Sequence, residues 1–197
     1  MALCWCCSFL VSVPVLWTLL VGVHAQGVDR TREEGAFGRS VVLATISRLQ
    51  EVGVFNDTER FLRRVAFVES RDGADADTFR SGYYGGIWQV DEDIFDMTQN
   101  VDSLSDTYNR ILNLDFLNWN AVTWLHLRQP LLSAIAAALF FELAPGDIPD
   151  IGQVRQQAEY WKSSGFNTRD GDTVDVFVDR VTVLETEGEC MALFRST

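Results

Sequence analysis

The sequence predicts one mainly α-helical domain, a bundle of helices around a buried central helix. Apolar residues recur at three- and four-residue steps in several segments, which is the spacing of one helix face. The run from Leu131 to Leu143 is apolar almost all round, as in a helix at the centre of a domain. Long alternating segments are absent, so we expect only a small irregular or β region near residues 78–92.

The helices can be placed in order from these repeats and from the turn residues between them. A first helix is expected from Ser40 to Val52, where Gly53 ends it. Residues 56–58 (Asn-Asp-Thr) form a turn with N-cap chemistry, and a second helix follows through Val68. Further helices are expected near residues 103–112, 131–143 (with Pro130 in the first position), 151–161 and 174–184.

The N-terminal segment differs from the rest of the chain. Residues 1–25 contain no Lys, Arg, Asp or Glu, and the apolar run at 9–23 is shorter than the roughly 20 residues that span a bilayer. Small residues before Gln26 fit a cleavage site, so we predict a signal peptide at 1–25 and a secreted protein. A membrane anchor, or palmitoylation of the early cysteines, is the alternative. A loose leader is expected at 26–39 and the domain at 40–197.

Composition limits the partners and the cysteine chemistry. The net charge is -12, with 16 basic residues against 28 acidic ones, which argues against nucleic acid. We expect no membrane association once the signal peptide is removed. The mature chain keeps only Cys190, which we expect to be free or to form an intermolecular bond, and His126 is its only histidine. A monomer is expected.

Glu69 is the strongest candidate for chemistry. It follows Val65 by four residues and Leu62 by seven, so it projects from the apolar stripe of its own helix. Burial disfavours the charged carboxylate and raises its pKa, which suits a general acid near neutral pH. The alternative is a structural glutamate paired with a nearby arginine. The candidates for that arginine are Arg63, Arg64 and Arg71.

Two motifs in order resemble the signature of the goose-type lysozyme and soluble lytic transglycosylase group. Val-Glu-Ser-Arg-Asp-Gly at 68–73 is followed, after a loop, by Gly-Ile-Trp-Gln-Val-Asp at 86–91, with Ile-Trp in place of Leu-Met. The small residues at 133–138 resemble the central helix of that group. The resemblance covers residues 58–167 and implies an α+β, lysozyme-like fold. Its cleft would lie between the end of the Glu69 helix and residues 85–91.

The resemblance also implies roles for individual residues. Glu69 matches the catalytic acid, and Asp91 matches an aspartate that positions water. Ser70 matches the residue that supports the acid, Gly86 a close backbone approach, and Gln89 a residue that binds sugar and water. Two aromatic residues and one amide are added as candidates to line the cleft. The expected substrate-binding residues are therefore Ser70, Gly86, Gln89, Tyr84, Trp88 and Asn167.

Each role has a structural alternative. Gln89 could be satisfied by the nearby backbone, and Asp91 could be one exposed acid among three. The tryptophans at 88, 119, 124 and 161 suit sugar stacking, but most tryptophans in a helical domain belong to the core.

One position departs from the group's pattern. Phe166-Asn167 stands where the group carries Tyr-Asn, so the phenol hydroxyl near the acid is missing unless Tyr160 replaces it. This departure and the acidic charge favour a second class of protein, a non-catalytic secreted glycan-binding or structural protein.

The expected reaction is cleavage of β-1,4 linkages in peptidoglycan, with a chitin-like polysaccharide as the other substrate. Water would give hydrolysis with inversion, and the substrate's own hydroxyl would give an anhydro product. Neither route needs a metal or an organic cofactor. The acids at 72, 75 and 77 resemble a calcium loop but lack its glycine and distal glutamate. Asn56 begins a glycosylation sequon.

Overall fold

The computed structural model describes residues 28–58, 60–167, 169 and 171–194, and this part of the chain confirms the mainly α-helical prediction. It contains no β-strand, so the 78–92 region is the irregular one of the two expected alternatives. The α-helices are α1 (Arg39–Glu51), α2 (Phe61–Ser70), α3 (Glu92–Asp96), α4 (Ser105–Leu112), α5 (Pro130–Leu143), α6 (Val154–Ser163) and α7 (Val174–Phe194). Short 3-10 helices lie at Asp102–Leu104, Trp119–Ala121 and Trp124–Arg128.

The predicted signal peptide at 1–25 and the side chain of Cys190 lie outside the described residues. Within the described part, no helix has both the length and the apolar character needed to cross a membrane.

Helices α2 and α5 form the centre of the fold. Helix α5 is buried from Pro130 to Phe141, and its alanines let neighbouring helices approach closely. Helix α2 is buried along all ten residues and contacts α1, α5 and α7. Because a buried charge is costly without a partner, the polar residues of α2 need specific contacts. Arg63 pairs with Asp72 (2.5 Å), and Arg64 bonds to Gln157 (2.8 Å) and pairs with Glu185.

Asp57 fixes the start of α2. Its carboxylate accepts hydrogen bonds from the backbone N–H groups of Leu62 (2.8 Å) and Arg63 (3.1 Å). These are helix N-terminal donors without a partner inside the helix. The predicted N-cap chemistry of this turn is therefore present, although the helix itself begins only at Phe61. Burial raises the pKa of Asp57 to about 6, against the backbone hydrogen bonds, which lower it.

Residues 28–38 were expected to be a loose leader, and this expectation is wrong. Thr31 and Ala36 are buried, and the carbonyl of Thr31 accepts the N–H of Leu131 at the start of α5 (2.8 Å). The N–H of Gly38 donates to the carbonyl of Asp72 (2.8 Å). Thr31 connects the segment to two helices, because its hydroxyl accepts a hydrogen bond from Arg48 of α1 (2.8 Å) and its carbonyl accepts the N–H of Leu131 in α5. The polar composition of the segment does not indicate these contacts.

The irregular segment before α3 is held against α2 and α5 by two serines. Ser70 donates to the carbonyl of Ile87 (2.6 Å), and Ser133 donates to the carbonyl of Gly85 (2.8 Å). The N–H of Trp88 donates in turn to Ser133 Oγ (3.2 Å). These bonds set the position of the following residue, Gln89, beside the end of α2.

Candidate functional site

The candidate site is built around the carboxylate of Glu69, in the last turn of α2. The side chain is only 1% exposed. Its Oε1 accepts hydrogen bonds from the Trp161 indole N–H (2.8 Å) and from the Asn167 amide (3.0 Å). Its Oε2 forms an ion pair with the guanidinium of Arg169. A fixed set of donors therefore surrounds the carboxylate.

A second carboxylate completes this cluster. Asp172 accepts a hydrogen bond from the Asn167 amide (3.0 Å) and lies 3.2 Å from the Arg169 guanidinium. Glu69 is thus paired with an arginine, as the structural alternative expected, but not with one from its own region. Arg63 and Arg64 have the partners described above, and Arg71 pairs with Asp75 (3.6 Å).

Burial dominates the electrostatics of Glu69. Burial is the largest cause of a net rise in the pKa of Glu69 from the ordinary 4.5 to about 7, and the charge of Asp172 also acts to raise it. Arg169 and the hydrogen bonds from Asn167 and Trp161 act in the opposite direction. Desolvation outweighs the ion pair because the carboxylate is enclosed, whereas Arg169 stays 41% exposed and partly solvated.

This raised pKa makes the stability of the protein depend on pH. Between pH 4.5 and about 7 the folded state binds a proton on Glu69 that the unfolded state releases, so the free energy of unfolding falls as pH rises. The loss attributable to Glu69 between about pH 4 and about pH 8 is expected to be about 3 kcal/mol. Urea unfolding of wild type and Glu69→Gln across this range measures the loss as the difference between the two stability profiles. Asp57 titrates in both proteins, so its contribution cancels in that difference. Parallel stability profiles would contradict the assignment.

The Glu69 cluster opens into a polar cavity of about 310 Å³. Gln89 lines the same cavity, so the structure brings together the two residues that the ordered motifs single out. The Gln89 amide donates to the carbonyls of Gly86 (2.6 Å) and Thr78 (3.2 Å), and its oxygen accepts from Arg80 (3.0 Å). Its polar atoms are bonded within the protein, as the structural alternative expected, and a ligand would have to exchange with them.

The structure does not bring two other predicted residues to this cavity. Asp91 precedes α3 and accepts a hydrogen bond from the hydroxyl of Tyr83 (3.0 Å). Tyr84 packs edge to face on Trp124, with ring centroids 5.3 Å apart. Neither residue lines the cavity that contains Glu69.

Three of the expected substrate-binding residues, Ser70, Gly86 and Trp88, make their contacts within the protein. Ser70 is fully buried and ties α2 to Ile87 instead of supporting the Glu69 carboxylate. Trp88 is fully buried, with its indole N–H on the carbonyl of Leu62 (3.0 Å), so it belongs to the core. Gly86 does allow a close approach, but to the backbone of Leu127 and the side chain of Ser133.

The Phe166-Asn167 pair separates into two roles. The Asn167 amide bonds directly to Glu69, so it holds the carboxylate and is itself only 5% exposed. Phe166 packs on Phe140 and Phe141 in the core. Tyr160 does not replace the missing phenol, because its ring packs on Phe61 and Phe141 and its hydroxyl faces the Phe141 carbonyl.

Sequence reasoning missed most of the partners of Glu69. Arg169 and Asp172 lie in an irregular segment after α6, where no periodicity indicates direction. Arg180, on α7, also lines the cavity and donates to the carbonyl of Val68. Trp161 was a candidate for sugar stacking, but it is fully buried. The spacing of Trp161 from the other apolar residues of α6 predicts that it is buried. Only the fold shows that its indole N–H donates to Glu69.

No group of three or more His, Cys, Asp or Glu side chains in the described part of the chain could hold a metal ion. Two of the three acids that resemble a calcium loop form ion pairs with arginines: Asp72 pairs with Arg63, and Asp75 pairs with Arg71. Asn56 is exposed, as a glycosylation site requires.

A larger cavity, about 820 Å³, lies between residues 28–31 and α1. None of its titratable lining side chains is buried, so it offers no group with the environment of Glu69. The smaller polar cavity is therefore the better candidate for chemistry.

Comparisons of the chain with protein-family models, with curated proteins and with solved structures give no match.

Proposed function

We propose that the protein is a secreted, lysozyme-like enzyme that cleaves β-1,4 linkages of peptidoglycan, with Glu69 as the general acid. The observation that carries the proposal is the buried Glu69 carboxyl at a polar cavity, with its pKa raised to about 7. A carboxyl that keeps its proton near neutral pH can protonate a glycosidic oxygen. Gln89 at the same cavity and the ordered motifs at 68–73 and 86–91 support the choice of a glycan over other substrates.

The first step is proton transfer from Glu69 to the glycosidic oxygen, as the bond to the sugar carbon breaks and that carbon gains oxocarbenium character. Trp161 and Asn167 keep the carboxyl in place during this step, since both donate to Oε1. Asp91 lies away from the cavity, so it is poorly placed to hold the attacking water. Asp75 and Asp77 line the cavity and are better placed for water, and attack by the substrate's own hydroxyl needs neither.

The test is release of soluble fragments from purified peptidoglycan by wild type and by Glu69→Gln, with mass analysis of the products. The substitution keeps the shape of the side chain and removes its proton, so cleavage is expected to fall by about 10²- to 10⁴-fold. Glu92→Gln, an exposed glutamate near the segment 86–91, is the matched control and should cleave like wild type. Reducing ends indicate hydrolysis, and anhydro ends indicate transglycosylation.

A second candidate is a non-catalytic glycan-binding protein, and the ion pair between Glu69 and Arg169 favours it. An arginine on the carboxylate stabilises the charged form, which cannot donate a proton. The core position of Phe166 also leaves the described site without a phenol hydroxyl. If wild type and Glu69→Gln both bind peptidoglycan or chitin oligomers and neither cleaves them between pH 4 and 8, the enzymatic proposal is wrong.

A further inference from the structure

Arg169 is the solvent-exposed partner of the buried Glu69 carboxylate. Its guanidinium contacts both Glu69 and Asp172, and its side chain is 41% exposed, against 1% for Glu69 and 18% for Asp172. A ligand that enters the cavity therefore reaches Arg169 before it reaches the buried carboxylate.

Two more arginines line the cavity and are bonded to neutral groups. Arg80 donates to the carbonyl of Asp77 (3.0 Å) and to Gln89, and its guanidinium stacks on the ring of Tyr83 at 3.5 Å. Arg180 donates to the carbonyl of Val68. No ion pair to a carboxylate is found for either within the part of the chain that the structure describes. Three arginines (Arg80, Arg169 and Arg180) therefore line the cavity together with four acids (Glu69, Asp75, Asp77 and Asp172), and the guanidinium groups of Arg80 and Arg180 are the positive charges that an incoming anion meets without displacing a carboxylate.

The ion pair and the proposed acid chemistry make opposite demands on Glu69. Donation requires a protonated carboxyl, whereas Arg169 favours the carboxylate. A ligand with its own carboxylate resolves the conflict, because it offers Arg169 the same kind of charge-assisted, bidentate pair that a protein carboxylate offers.

We infer that Arg169 is a specificity residue that recognises a carboxylate on an anionic glycan, exchanging its ion pair with Glu69 for one with the substrate. The exchange uncovers the acid only when a carboxylate-bearing sugar occupies the cavity. A neutral glycan of the same backbone leaves Glu69 paired. The catalytic consequence of this inference rests on the proposed function. The recognition of a carboxylate by Arg169 does not depend on catalysis.

The exchange also changes the protonation of Glu69. Once Arg169 moves to the ligand, Glu69 keeps the donors Trp161 and Asn167 but loses its nearest positive charge. The other charged groups at the cavity are Arg80, Arg180, Asp75, Asp77 and Asp172. Without the lowering effect of Arg169 the pKa of Glu69 rises further, so a carboxylate near pH 7 takes up a proton from solvent as the anionic ligand binds.

Binding of two matched tetrasaccharides tests the inference. One alternates N-acetylglucosamine with N-acetylmuramic acid and has free lactyl carboxylates, and the other is chitotetraose, which has the same backbone without them. Calorimetry should show wild type binding the anionic sugar about tenfold more tightly or better, which corresponds to one charge-assisted contact. Arg169→Gln should reduce the preference to less than about twofold. Arg155→Gln, at an exposed arginine away from the cavity, should retain it.

Glu69→Gln provides a second arm that does not depend on Arg169 variants folding. It should keep the preference for the anionic sugar, because a neutral amide does not compete for Arg169. Calorimetry of wild type in buffers of different ionisation enthalpy, near pH 7.5, should show proton uptake with the anionic tetrasaccharide and none with chitotetraose. Glu69→Gln should show none with either.

Equal binding of both sugars by wild type would overturn the inference, as would an undiminished preference in Arg169→Gln or proton uptake that persists in Glu69→Gln. The proposed function fails separately: preference and proton uptake without any fragment release would leave Arg169 as a recognition residue in a binding protein.

Discussion

Gly86→Ala is expected to prevent the domain from folding. Gly86 has φ 64° and lies where the irregular segment crosses α5. A Cβ at this position would lie 2.0 Å from the carbonyl oxygen of Leu127 and 2.8 Å from the Ser133 side chain. The first contact is with backbone, which cannot move aside as a flexible side chain can. Relief would require moving the segment 85–90 away from the 3-10 helix Trp124–Arg128 and from α5, which breaks the Ser133 hydrogen bonds and exposes core.

Gly82→Ala is the matched control for backbone strain. Gly82 has φ 76°, and nothing lies within 4 Å of its added Cβ, so only the left-handed conformation is penalised, by about 1–2 kcal/mol. Urea unfolding followed by circular dichroism, with yield of soluble protein, compares the two variants. Gly86→Ala should lose at least about 4 kcal/mol or fail to accumulate, because steric conflict adds to strain. Similar losses in the two variants would show that the close packing at Gly86 is unimportant.

The second large effect is expected at the buried pair of Arg63 and Asp72. Arg63→Met should lower the free energy of unfolding by about 3–5 kcal/mol near neutral pH, because it leaves Asp72 buried without its partner. Asp72 is only 5% exposed, and burial already raises its pKa above its usual range even with Arg63 present. Arg155→Met, which removes an exposed ion pair with Asp175, should cost at most about 1 kcal/mol.

A double-mutant cycle separates the pair from other roles of Arg63. Asp72→Asn suits the cycle because Asp72 has φ 61°, a conformation that asparagine tolerates. The double variant Arg63→Met, Asp72→Asn should be more stable than the sum of the two single losses predicts, since no buried charge is left unpaired. Additive losses in urea unfolding would mean that the two side chains act independently.

The sequence predicts the parts of the fold that depend on local pattern. Pro130 and the apolar run behind it indicate α5, because proline is favoured in the first helical turn. Asp57 indicates the start of α2, because a carboxylate accepts the N–H groups that a helix leaves free. The buried position of Glu69 follows from its spacing to Val65 and Leu62.

The partners of these residues could not be predicted in the same way. Arg169 is 100 residues from Glu69, and its segment has no regular repeat from which a side-chain direction could be read. The contacts of motif residues could not be predicted either, as Ser70, Gly86 and Trp88 show. Their motif indicates that two segments meet, but only the packing of α2 against α5 shows that these side chains hold the junction together instead of facing a ligand.

Helix α2 has no face toward water, and this has a consequence for the lifetime of the site. Amide hydrogens in an element enclosed by its neighbours exchange with solvent mainly when the whole domain opens, whereas groups near the surface exchange through small local openings. The carbonyl and amide framework that carries Glu69 therefore persists for as long as the native state itself. The solvent-facing guanidinium of Arg169 is the part of the cluster that can rearrange without opening the domain, and Glu69 stays in place.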